Sequence, residues 1–152
     1  MKIWVASVSG LNHQMLDEAL RRLNSTGFEM PKTLEIKWLN EPEEHDYSAA
    51  LSYLSLLWDE KTASTYVGKL KHASVSRYKA KDIFRASQLS LLGISNAHVK
   101  KDQQKIQSAQ PLSPLLLIRD LGQGKTIVAD GYHRLCAVYS YDEDAVIPCK
   151  IV

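Results

Sequence analysis

Ile127-Val128-Ala129-Asp130-Gly131-Tyr132-His133-Arg134-Leu135 decides the fold class, because a β-branched run halts at Asp-Gly and a helical pattern starts at once, with His and Arg in its first turn. Peptide N–H groups at a helix start lack intrahelical partners and carry the positive end of the helix dipole. Gly131 lets a ligand approach the backbone closely, and Arg134 offers a bidentate grip on phosphate, so the strand-to-helix turn is expected to be an anion site.

Outward from this turn the chain alternates strands and helices. On the C-terminal side, a helix is expected from Gly131 to about Tyr141 and a strand from Ala145 to Val152. On the N-terminal side, Leu115 to Arg119 and Lys125 to Ala129 form two strands around the turn Asp120-Leu121-Gly122-Gln123-Gly124. Asn96 caps a helix from Ala97 to about Ala109. Further back, Tyr47 to Trp58 carries an apolar helical stripe, and Lys61 to His72 a more basic one. Lys32 to Leu39 reads as a strand, as does Lys2 to Ser9, and a helix between them stops at Gly27. The pattern specifies an α/β (α+β) protein. Trp4, Trp38 and Trp58 fall on apolar patterns and are assigned to the core.

With 152 residues, 45% of them hydrophobic, the chain buries a core of its own. The longest apolar runs, such as Leu115-Leu116-Leu117-Ile118, are strand-sized, so no membrane span is expected; nor does the start resemble a signal peptide. Cys136 and Cys149 suit a reducing compartment and form no metal-ligand cluster, which points to the cytoplasm. The net charge of +2 hides an uneven distribution. Residues 41 to 60 hold six acids and no Lys or Arg, whereas residues 61 to 110 hold ten bases against two acids, Asp82 and Asp102. Such a basic middle suits a nucleic-acid backbone or a nucleotide, or equally a set of solvated helix faces paired with the acidic segment. Gly122-Gln123-Gly124 lacks the third glycine and the setting of a dinucleotide fingerprint, and no phosphate-binding loop ending in Gly-Lys-Ser or Gly-Lys-Thr is present.

The helix from Ala97, the strand pair up to Ala129, the string Asp130-Gly131-Tyr132-His133-Arg134 and the strand Ile147-Pro148-Cys149-Lys150-Ile151 together resemble the ParB/sulfiredoxin superfamily. The resemblance runs from about Lys79 onward. It implies a ParB/sulfiredoxin-like mixed-sheet domain over residues 74–152, preceded by an N-terminal α/β extension or accessory subdomain over residues 1–73. In that superfamily a Gly-x-x-Arg or Gly-x-His-Arg turn holds nucleotide phosphates, in chemistries that differ from branch to branch. Sulfiredoxin requires a reactive cysteine where this chain has Tyr132, so peroxiredoxin repair is not expected. Cys136, on the same helical stripe as Tyr132 and Tyr139, reads as a packed small hydrophobe. ParB proteins that load onto DNA carry a helical DNA-reading domain after the nucleotide module, and with Val152 ending the sequence a complete partition protein is not expected. Asp-Gly-x-His-Arg most resembles the serine-kinase-like branch, in which the aspartate lies beside the transferred phosphate; this chain departs from that branch in having no glutamate between Lys61 and Ala129.

What the resemblance implies is a nucleotide-dependent phosphotransferase or hydrolase using a nucleoside phosphate (ATP, ADP or CTP) with magnesium. Arg134 and the N–H groups of Tyr132 and His133, beside Gly131, hold phosphate oxygens; His133 donates to phosphate or acts as an acid, and Asp130 orients a hydroxyl or binds magnesium. Without the resemblance the same letters describe a helix cap at Asp130, a surface histidine and an ion pair at Arg134. A second patch, Lys79 to Ser87, lies where the superfamily often places a first ligand-contacting segment. There Lys81 and Arg85 would reach phosphate and Asp82 or Ser87 would serve substrate or catalysis, although an amphipathic helix start accounts for the same residues. His98 follows the Asn96 cap and faces either the site or solvent. Asp142-Glu143-Asp144 reads as a solvated turn, or as further acids to help hold magnesium. The alternative function is a non-catalytic nucleic-acid-binding or regulatory module built on the basic middle segment.

Overall fold

The computed structural model describes residues 35–93 and 95–152, together with Gln14, Asp17 and Glu18. The chain divides into two compact units, Met1–Leu34 and Glu35–Val152. In the first, Gln14, Asp17 and Glu18 are helical; the expected strand from Lys2 to Ser9, Trp4 and the Gly27 stop lie outside the described residues.

The second unit is a four-stranded mixed sheet between two layers of helices, an α/β (α+β) fold. In chain order its elements are α1 (Glu44–Leu54), α2 (Glu60–His72), β1 (Val75–Lys79), α3 (Ala80–Ser87), α4 (Ala97–Gln107), β2 (Leu115–Asp120), β3 (Lys125–Asp130), α5 (Tyr132–Tyr141) and β4 (Val146–Ile151). The sheet order is β1-β4-β2-β3. The outer pairs are antiparallel, and the central β2 and β4 run parallel, joined through β3 and α5.

The run Leu115-Leu116-Leu117-Ile118 explains the layering. Side chains alternate across a strand, and an unbroken apolar run therefore needs cover on both faces. Leu115 and Leu117 join Val128, Ile147 and Cys149 beneath α3, α4 and α5, while Leu116 and Ile118 join Ile127 and Ala129 beneath α1 and α2. Leu54, Leu70, Val99, Ile106, Leu135 and Val138 supply the helix side of these cores and are all fully buried. Lys150 on β4 is also buried; its Nζ pairs with Glu41 at 2.9 Å and donates to the Lys71 carbonyl at 3.1 Å, which ties the strand to the α1 and α2 layer.

Several boundaries differ from the sequence reading for visible reasons. The apolar stripe expected from Tyr47 to Trp58 ends as a helix at Leu54, and the following turn leaves Leu56 82% exposed. Glu43 caps the start of α1: its backbone N–H donates to Asp46 at 3.0 Å in a reciprocal capping box. The described part of the strand expected over 32–39 forms one isolated bridge, Trp38 with Leu112. β1 was not anticipated; Val75-Ser76-Arg77-Tyr78-Lys79 is too polar to show a strand period, and it stands at the sheet edge where one side faces solvent. Trp38 is half-buried against the core, and Trp58 stacks on Tyr66 with ring centroids 4.8 Å apart. Among the described residues no helix is long and apolar enough to cross a membrane.

Candidate functional site

β3 stops at Asp130 because Gly131 takes φ +103, a left-handed conformation that costs other residues dearly. α5 then begins with no side chain capping its first turn, unlike α4, where Asn96 accepts from the N–H groups of His98 and Val99 at 3.0 and 3.3 Å. Asp130 is therefore not a cap, and the leading amides of α5 keep their donors free of side-chain partners.

Arg134 folds back over Gly131. Its Nη2 donates to Asp130 Oδ2 at 2.9 Å and lies 3.5 Å from the Pro114 carbonyl, and Nη1 stands 3.7 Å from Asp46 Oδ1. Asp46, on α1 in the opposite helix layer, is 2% exposed; its other oxygen accepts from Ser113 Oγ and from the Glu43 N–H. One guanidinium thus bridges two carboxylates from two layers at the end of the sheet. A β-carbon on Gly131 would lie 2.9 Å from Arg134 Nη2 and 2.8 Å from Leu115 Cγ, so glycine is required here by close approach as well as by φ. Burial pushes the Asp130 carboxyl above its ordinary value, and the Asp46 charge adds to this, against the opposing pull of Arg134.

Beside this turn opens a polar cleft of about 300 Å³, lined by Asp130, Gly131, Tyr132, His133 and Arg134 and, from the facing elements, by His45, His98, Lys101, Asp102 and Lys105. His45, His98 and His133 are each the second residue of a helix, α1, α4 and α5 respectively, so three helix N-termini converge on one space. Their dipoles favour an anion there. The His98 and His133 rings stand 4.8 Å apart. His133 lies below the ordinary histidine value, mainly through burial and secondly through His98; Asp102 lies above the ordinary carboxylate value because burial outweighs the nearby Arg134, Lys105 and His133. His45 Nε2 instead sits 3.2 Å from Glu43 and 3.4 Å from Asp46.

Of the residues singled out by sequence, the cleft gathers Asp130, Gly131, Tyr132, His133, Arg134 and His98. Lys81, Asp82, Arg85 and Ser87 are not among its walls. Lys81 pairs with Asp144 at 2.6 Å and Arg85 with Asp82 at 3.1 Å, while Ser87 is buried and donates to the Phe84 carbonyl at 3.1 Å. Asp142, Glu143 and Asp144 follow the C-terminal end of α5, roughly 15 Å along the helix axis from Asp130 at its other end, too far to share an ion with it. Cys136 is fully buried, its thiol raised by burial, and the Cys149 thiol is pushed up to about 11 by the same cause, which leaves neither poised as a nucleophile.

Sequence reasoning missed Asp46, Ser113, His45, Lys101, Asp102 and Lys105 as members of the site. For three of these a signal existed: Lys101, Asp102 and Lys105 lie three, four and seven positions after His98 and so share its helix face. Nothing local marks Asp46, whose role arises only when the two helix layers close on the sheet.

Comparison with family models, with curated proteins and with solved structures finds no match to this chain. The fold and site define an α/β (α+β) protein with a histidine- and lysine-walled cleft at a strand-to-helix turn.

Proposed function

We propose that the cleft between α4 and α5 binds a phosphorylated small molecule by its phosphate, with a nucleoside phosphate (ATP, ADP or CTP) as the leading class. The observation that carries this reading is the uncapped first turn of α5, facing His98, Lys101 and Lys105 across one cleft. Free amides, imidazoles and ammonium groups are the donors phosphate oxygens need. The ParB/sulfiredoxin-like turn supports it, since the equivalent Gly-x-His-Arg is the phosphate holder there.

The residues divide the work differently from a simple arginine clamp. Arg134 acts as a strut that fixes Asp130 and the turn, while Lys101, Lys105 and the α5 amides meet the anion. In a phosphotransferase or hydrolase reaction His133 is placed to give or take a proton at the phosphate, and Asp130 to orient an acceptor hydroxyl or water. The donor set does not fit a magnesium ion held at Asp130: the guanidinium already occupies Oδ2 at 2.9 Å, and burial disfavours the carboxylate charge. Magnesium that takes part comes coordinated to the phosphates themselves.

A nucleic-acid-binding role draws less support, because much of the basic middle segment is already engaged: Lys71 with Glu44, Lys79 and Lys81 with Asp144, Arg85 with Asp82. Two buried thiols accord with a cytoplasmic setting.

Calorimetric titration of ATP, ADP and CTP, with and without magnesium, tests the reading. Wild type is expected to bind at least one, and the double variant Lys101→Ala/Lys105→Ala to bind it about tenfold or more weakly. Absence of binding by folded wild type to all three and to inorganic phosphate overturns it.

A further inference from the structure

The fixed charges around the cleft cancel. Lys101, Lys105 and Arg134 are matched by Asp102, Asp130 and, behind Arg134, Asp46. An anion entering the site therefore finds no surplus of permanent positive charge, only the helix N-termini and the histidines. Resting on the phosphate reading above, we infer that the His98 and His133 pair is the variable charge of the site, taking up one proton as the anion binds and thereby making affinity depend on pH.

The geometry supports uptake of one proton by the pair. The rings come from two different helices and stand 4.8 Å apart at the mouth of both N-termini. Two imidazolium cations at that spacing repel, so the second proton is disfavoured once the first is bound. In the free protein the dipoles of α4 and α5 and the cations Lys101, Lys105 and Arg134 hold the proton off; Asp102 and Asp130 favour it, and the Tyr132 ring, 5.7 Å from His133, is neutral. Burial is the main cause that lowers His133. An anion placed in the cleft beside both rings reverses this balance. His45, the third histidine in the cleft, has its Nε2 3.2 Å from Glu43 and 3.4 Å from Asp46 and stands apart from the ring pair.

Sulfate is the appropriate probe, since it stays a dianion from about pH 5.5 to about pH 8 and any pH dependence then belongs to the protein. The expected association constant falls about tenfold per pH unit through the upper part of that range, the slope for one proton. Titration in two buffers of different ionisation enthalpy should show the same proton uptake. His133→Gln keeps a donor and loses the titration, so it should bind with a nearly flat profile. His98→Gln, at an exposed position, should also reduce the slope, and His72→Gln on the far end of α2 should retain it. Sulfate binding that is flat in wild type, or a slope abolished by His45→Gln and kept in both other variants, overturns the inference and leaves the phosphate reading standing. Failure of both sulfate and inorganic phosphate to bind at any pH overturns the inference, and failure of ATP, ADP and CTP as well overturns the phosphate reading with it.

Discussion

The turn at Asp130 to Arg134 and the segment from Lys79 to Ser87 look alike as sequence, since each starts a helix and mixes basic residues with an aspartate, and in the structure each follows a strand. In the fold they differ by what each charge already has beside it. At the second segment, Lys81 and Arg85 close on Asp144 and Asp82 at the exposed surface, and the pairs neutralise themselves. At the first, Arg134 is withdrawn into a partly buried bridge between Asp46 and Asp130, and this leaves the α5 amides, His133 and the facing α4 residues to the cleft. The potential to bind an anion depends on which donors lack partners after folding, and a local count of bases does not report it.

The largest effect is expected where backbone and ion pair meet. Gly131→Ala adds a β-carbon within 3 Å of both Leu115 and Arg134 while forcing φ +103 on a chiral residue. Left-handed strain and overpacking together are expected to cost about 4 kcal/mol, read as a lowered urea midpoint. Lys81→Gly, at the corresponding region of the other segment, should shift the midpoint far less, as its backbone is ordinary helix.

Next in size is Arg134→Met. Removing one guanidinium leaves Asp46, 2% exposed, and Asp130 without their cation, an expected loss of about 3 kcal/mol at neutral pH. The loss should shrink in acid, because carboxylates stranded without a cation protonate readily; Asp130→Asn combined with Arg134→Met should recover part of it. Equal losses at both pH values would mean that packing of the arginine stem, and not its charge, holds the turn.

How much of this was legible beforehand follows from range. The alternation of β2, β3, α5 and β4, the Asn96 cap and the packed Cys136 are written in neighbouring residues, through apolar period, capping chemistry and helix spacing, and they stand in the structure. β1 was not legible because an edge strand of polar residues lacks the apolar period that betrays a strand. The turn as a feature was legible from Asp-Gly and His-Arg. Its inner wiring was not, since Asp46 and Ser113 arrive from a different helix layer and the segment before β2, and no local pattern encodes that meeting. The sequence reads Arg134 as a ligand clamp, and in the fold its guanidinium also meets Asp130 and Asp46.

A smaller effect separates the two carboxylates of the cleft from ordinary surface acids. Asp102 has its folded value raised, chiefly by burial. A carboxylate raised on folding binds more protons in the native than in the unfolded state between the two values, so its contribution to stability falls as pH rises through that window. Asp102→Asn removes the charge and should raise the thermal midpoint at neutral pH, with the gain vanishing once the pH falls below the ordinary aspartate value of about 3.9. Asp82→Asn, in the exposed pair with Arg85, should show no such gain; a matching rise there would mean that net charge and not burial is responsible.

The smallest effect expected is the most discriminating. Lys81→Ala and Arg85→Ala remove two bases from the segment that sequence placed beside the phosphate, yet each is neutralised locally and neither lines the cleft. Exposed pairs of this kind are screened by salt and add little to a potential one Debye length away, about 8 Å at physiological ionic strength. Sulfate affinity at moderate salt should therefore remain within about twofold of wild type in both variants, while Lys101→Ala and Lys105→Ala lower it several-fold. If all four variants weaken binding equally and the difference grows as salt is removed, the site is a diffuse basic field and not a cleft, and the nucleic-acid reading regains the ground that the local ion pairs took from it.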